Sequence, residues 1–76
     1  MKYSARQRAV AAALRKAREA AGISQRQLSE RLQQPPNWIQ RIESLERRVD
    51  VAEFIDIAKA TGADPVELFR EALDSR

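Results

Sequence analysis

The sequence predicts an all-α fold, a compact bundle of five helices, and three observations carry that prediction. Apolar residues recur at helical spacing, with little of the strict alternation that marks strands. At four points a small polar residue is followed three positions later by Gln or Glu: Ser4/Gln7, Ser24/Gln27, Asp50/Glu53 and Asp64/Glu67. This is the capping-box pattern, in which each side chain satisfies the other's backbone N–H at a helix start. Stop signals stand at matching intervals. Gly22 and Gly62 each follow an apolar-periodic run, and Pro35–Pro36 interrupts another.

Taken in order, these signals place helices over residues 4–21, 24–33, 36–44, 51–61 and 65–74. Helix 1 carries Val10, Leu14, Ala17 and Ala21 on one face, and Ile23 fills the joint after it. Helix 2 supplies Leu28 and Leu32, and helix 3 supplies Ile39 and Ile42. Helix 4 offers Val51, Phe54, Ile55 and Ala58. Helix 5 opens with Pro65, the favoured first helical residue because its missing N–H has no partner there anyway. It adds Val66, Leu68, Phe69 and Leu73. Short connections between such stripes describe one compact domain.

The stretch QQPPNWIQRIE, residues 33–43, is the informative break. Pro35 cannot sit inside a helix, and it pushes Gln34 toward extended backbone. Pro36 is acceptable in the first turn of a new helix. About three residues are left between two short helices, which makes a corner of the helix-turn-helix kind. Ile39 and Ile42 hold the inner face of helix 3, leaving Asn37, Gln40, Arg41 and Trp38 on its other faces. Two roles are open to Asn37: pairing with Gln40 as a capping box, which starts helix 3 two residues later, or meeting an adenine edge. Trp38, the only Trp, either packs on helix 2 or 4 or stands exposed at the helix tip.

Composition narrows the function classes. A 76-residue chain buries only about 60% of its unfolded surface, too little for a deep catalytic cleft. There is no Cys and no His, which removes thiol nucleophiles, the usual zinc sites and the commonest general base. The carboxylates are accounted for as caps and solvated charge, so no enzyme, cofactor or metal is expected. The longest apolar run, AVAAAL at residues 9–14, is far short of a membrane span of roughly 20 residues, and no signal h-region follows the basic N-terminus. A cytoplasmic protein is expected. Charge is divided unevenly. Residues 1–48 hold 11 Lys/Arg against 4 Asp/Glu, and residues 49–76 hold 3 against 7. A basic face toward a polyanion and an acidic end pointing away fit that division.

At this point the words LRKAREAAGISQRQLSERL, WIQRIE and ERRVDVAEFIDIAKATGADPVELF, in this order and spacing, resemble the lambda-repressor/Cro-like helix-turn-helix family, also called the XRE family. The likeness runs from Leu14 to Phe69. The whole chain, 1–76, then reads as a single domain, with 1–9 extending helix 1 and 74–76 as a tail. The resemblance implies a DNA-binding domain whose helix 3 enters the major groove while helix 2 crosses the backbone. By matching positions it assigns Pro36, Asn37, Trp38 and Arg41 to bases and sugars. Arg41 is the strongest base reader, since its guanidinium fork fits guanine O6 and N7. Gln25, Gln40, Ser44, Arg47 and Arg48 are assigned to phosphate, and Arg18 and Glu43 to a structural ion pair between helices 1 and 3. Three positions depart from the family pattern. Gln33 replaces a small residue or Gly in the turn, Pro35 replaces a polar cap, and Leu45 replaces a Gly after helix 3. Either helix 3 runs a turn longer or Leu45 takes a positive φ.

The expected function is a sequence-specific double-stranded DNA-binding transcriptional regulator, a repressor acting by operator occupancy. The alternative is a protein-interaction module, antitoxin-like or a scaffold, that keeps the fold without specific DNA reading. A homodimer is expected, because one short helix reads only a few base pairs. Helix 5 and the tail are its expected contacts, with Val66, Phe69 and Leu73 exceeding what the core needs.

Overall fold

A computed structural model describes residues 4–74. It contains helices α1 (Ala5–Ala20), α2 (Gln25–Arg31), α3 (Trp38–Glu43), α4 (Val51–Thr61) and α5 (Pro65–Asp74), with no strand among the described residues. The expected extension over residues 1–9 and the tail over 74–76 fall partly on residues 1–3, 75 and 76, which lie outside the described residues.

Three capping boxes form in full. Ser4, Ser24 and Asp50 hold extended backbone, accept from the N–H three residues on, and receive the Gln or Glu side chain on their own N–H. The fourth signal acts differently. Asp64 Oδ1 accepts from Val66 N at 2.9 Å, while the Glu67 carboxylate lies 3.4 Å from Arg70 Nη1.

Four helices share one kind of ending. In each, a left-handed residue stands at the end (after the cap in α1, α2 and α3, at the cap itself in α4) and the next N–H reaches back five residues to a carbonyl, the Schellman arrangement. Gly22 (φ 72°) and Gly62 (φ 83°) serve α1 and α4, where the sequence places them. Gln33 (φ 57°) and Leu45 (φ 67°) serve α2 and α3 without glycine's freedom. Their closing bonds, Gln34 N to Ser29 O at 3.0 Å and Glu46 N to Arg41 O at 2.8 Å, are what hold them. This resolves the alternative at Leu45. It takes the positive φ, and α3 ends at Glu43 rather than running on. The same kind of closure at Gln33 ends α2 at Arg31, two residues before the expected end at residue 33.

One core unites the helices. α1 packs on α3, α4 and α5, α2 on α3 and α4, and α4 on α5. Leu14, Ile23, Leu28, Ile39, Ile42, Phe54, Ile57, Ala58 and Leu68 are buried in it. Each fully buried aliphatic side chain contributes about 1.5–3 kcal/mol. Ala21, Val51 and Ile55, expected in the core, are exposed, as are Val66, Phe69 and Leu73. The inward face of α4 is Phe54, Ile57 and Ala58, and that of α5 is Leu68 and Ala72. Both helices therefore carry a second apolar face that the domain leaves partly open, with the Phe69 ring edge-on to Phe54 at 6.4 Å between centroids.

Candidate nucleic-acid interface

The corner between α2 and α3 is built from groups that replace missing donors. Pro35 O accepts from Trp38 N at 2.9 Å, closing a four-residue turn. Pro36 takes its second position, where a fixed φ is favoured. Asn37 takes the third, with φ −99° and ψ 12°. The next orphan N–H of α3, that of Ile39, goes to Ser29 Oγ at 3.0 Å, and the same hydroxyl donates to Gln25 O at 2.9 Å. Ser29 is wholly buried. One hydroxyl of α2 thus caps α3 from outside, which sets how α3 stands on α2.

A second tie fixes α3 to α1. Arg18 Nε lies 2.6 Å and Nη2 3.2 Å from the two oxygens of Glu43, a bidentate pair. Arg18 Nη1 donates to Ile23 O at 2.8 Å, and Gln25 Nε2 donates to Glu43 Oε1 at 2.7 Å. The side chains are 11% and 4% exposed, so the pair is largely desolvated. The hydrogen bond to Glu43 raises the Arg18 pKa, outweighing burial, which lowers it. Gln25, assigned by resemblance to phosphate, has one amide N–H committed to this cluster and remains half-buried.

The positions assigned to bases separate. Pro36, Asn37 and Arg41 are exposed on the outer side of the corner and of α3. Asn37 is the residue before α3, yet its side chain makes no capping bond. Its near-helical backbone is the reason, since capping side chains reach the helix from extended backbone. The residue is exposed, and its amide is not committed to the helix start. Arg41 forms no ion pair among the described residues. Trp38 is different. It is 6% exposed and belongs to the core, with the Arg47 guanidinium 5.0 Å from its ring centroid.

The positions assigned to phosphate also separate. Arg47 makes a bidentate pair with Glu53, both contacts at 2.9 Å, and donates to Arg48 O at 2.7 Å. The pair raises the Arg47 pKa and lowers that of Glu53, and in each case hydrogen bonding outweighs burial. Arg47 is thus a clamp between the loop after α3, Trp38 and α4. Arg48 is exposed beside it. Ser44 Oγ donates to Glu46 Oε2 at 2.8 Å, and Gln40 Nε2 lies 3.5 Å from the same oxygen. Glu46 therefore holds an acidic group among residues assigned to phosphate.

Sequence reasoning missed Ser29, Glu46 and the pairing of Arg47. Glu53 was visible only as a cap, and no spacing rule links it to Arg47. Among the described residues no cluster of carboxylates could hold a metal, and no helix is long and apolar enough to cross a membrane.

This geometry agrees with comparisons to known proteins. A family model described as a helix-turn-helix domain matches residues 9–70. Among solved structures, an XRE-family like protein from Pseudomonas syringae pv. tomato str. DC3000 is similar with a TM-score of 0.84 and 40% sequence identity, over 91% of this chain and 84% of that one. A search of curated proteins gives no match. The chain belongs to the XRE family of helix-turn-helix domains, with α2 and α3 forming the helix-turn-helix.

Proposed function

We propose that this protein is a sequence-specific double-stranded DNA-binding transcriptional regulator of the cytoplasm, a repressor that acts by occupying its operator. α3 enters the major groove, Arg41 and Asn37 meet base edges, and Arg48, Ser44 and Gln25 lie toward the phosphates. The observation that carries this reading is the outer face of α3. Asn37, at the start of α3, and Arg41, on it, are exposed together, and Ser29 and the Arg18–Glu43 pair hold the helix from behind. Fixed presentation of a guanidinium and an amide is what direct readout of guanine and adenine requires. Arg47 and Trp38, spent on internal contacts, are left out of the DNA surface.

The protein acts as a homodimer in this proposal. Val66, Phe69 and Leu73 are 62%, 56% and 51% exposed and share one face of α5 through their spacing of three and four residues. Two copies joined there, each at most 29 Å across, fit half-sites about 34 Å apart on one face of DNA.

A titration against genomic fragments in the presence of salt tests the proposal. One preferred fragment, about 10³-fold or more above background, is expected. Weak binding that is alike for all fragments would leave only a basic surface.

A further inference from the structure

A basic feature outside the helix-turn-helix lies where the start of α1 meets the loop after α3. A hollow of about 280 Å³ opens there, lined by Arg6, Gln7, Val10 and Ala11 from α1 and by Ile42, Leu45, Arg47, Arg48 and Val49 from the other side. Its floor is apolar and its charged lining is wholly cationic. Arg47 is paired with Glu53, and the guanidiniums of Arg6 and Arg48 complete the cationic lining. Both are exposed, and Arg6 forms no ion pair among the described residues.

We infer that Arg6 and Arg48 together seat one backbone phosphate of the bound DNA, so that the start of α1 is part of the DNA surface. This rests on the DNA-binding proposal above and extends it to a residue that neither the helix-turn-helix nor the family match, which begins at residue 9, contains. Two guanidiniums from segments 42 residues apart converge on one mouth. A phosphodiester carries the complementary charge and accepts from both. The deoxyribose beside it presents largely apolar faces, which suit the half-buried Leu45 and Val49. The loop is held for this purpose from two sides, by the Schellman closure at Leu45 and by the Arg47–Glu53 clamp. Other α1 cations are placed differently. Lys16 lines a separate hollow between α1, the end of α4 and α5, away from the loop after α3.

The test is the salt dependence of binding to the preferred DNA fragment. Arg6→Ala should reduce the slope of log K against log salt by about one, the loss of one phosphate contact. Arg6→Lys should restore it, and Lys16→Ala should leave it unchanged. Circular dichroism melting of Arg6→Ala should match the parent, because the side chain is exposed. If Arg48→Ala lowers the slope while Arg6→Ala keeps the parent value, the inference is overturned and the DNA-binding proposal stands. If Arg6→Ala and Lys16→Ala lower it equally, the effect is a diffuse field and the inference also falls. If neither Arg41→Ala nor Arg48→Ala alters DNA binding, the proposal beneath it fails first.

Discussion

Replacing Glu43 with Ala removes one carboxylate and three hydrogen bonds at once. Two come from Arg18, at 2.6 and 3.2 Å, and one from Gln25, at 2.7 Å. What remains is an Arg18 guanidinium that cannot lose its proton and is only 11% exposed. Breaking a buried pair from one side costs about 3–5 kcal/mol. Arg18 keeps Ile23 O at 2.8 Å and Glu19 at 3.9 Å, and Gln25 can turn to water, so the lower end, about 3 kcal/mol, applies. A domain of this length has a total stability of about 4–11 kcal/mol. Melting should fall by about 12–24 °C, at about 4–8 °C per kcal/mol. Thermal unfolding followed by circular dichroism measures it. The double variant Arg18→Met/Glu43→Leu should recover much of the loss, because no charge is then stranded. An unchanged melting temperature for Glu43→Ala, or a double variant as unstable as the sum of the two singles, would refute the account of this junction.

Three further predictions concern other parts of the molecule. Gln33→Gly should stabilise the protein by up to about 1 kcal/mol, since Gln33 is exposed at φ 57° and glycine carries no side-chain penalty there; a lower melting temperature would show that the Gln33 conformation is not strained. The Glu53 carboxyl is held below its ordinary value of 4.5, first by Arg47. The unfolded state therefore binds the proton more readily, so the stabilisation is complete above pH 4.5 and is lost as pH falls through the folded value. Stability of the parent should drop more steeply than that of Glu53→Gln below about pH 5, and parallel curves would count against the clamp. Phe69→Glu, on the exposed face of α5, should give a monomer by sedimentation that stays folded and binds the preferred DNA more weakly; an unaltered dimer would move the interface elsewhere.

Local signals in the sequence gave the helices well, and tertiary ones gave the site poorly. The boxes at Ser4, Ser24 and Asp50 span three residues and depend on nothing else, so they were legible. The glycine endings at Gly22 and Gly62 were equally local. Gln33 and Leu45 adopt the same left-handed backbone because neighbouring segments fix it, and no residue preference announces that. In α4, Ile55 and Ile57 are both apolar and only two apart, so spacing alone could not say that Ile57 turns inward and Ile55 outward. The site followed the same division. The Arg18–Glu43 pair came from a family resemblance, not from composition. Arg47 and Arg48 are adjacent and identical in sequence, yet Glu53 and Trp38 draw one inward and leave the other exposed. Ser29 looked like an ordinary helix residue, because its partner Ile39 lies beyond the prolines.

The central claim is that α3 reads bases while the loop after it meets phosphate. Binding-site selection and salt titration on Arg41→Ala and Arg48→Ala test it directly. Arg41→Ala should lose about 1–3 kcal/mol at the preferred site and relax discrimination at one base pair, through loss of a bidentate contact. Arg48→Ala should weaken all sequences alike and reduce the salt slope by about one. Equal, sequence-independent losses in the two variants would contradict the account and leave α3 without a reading role.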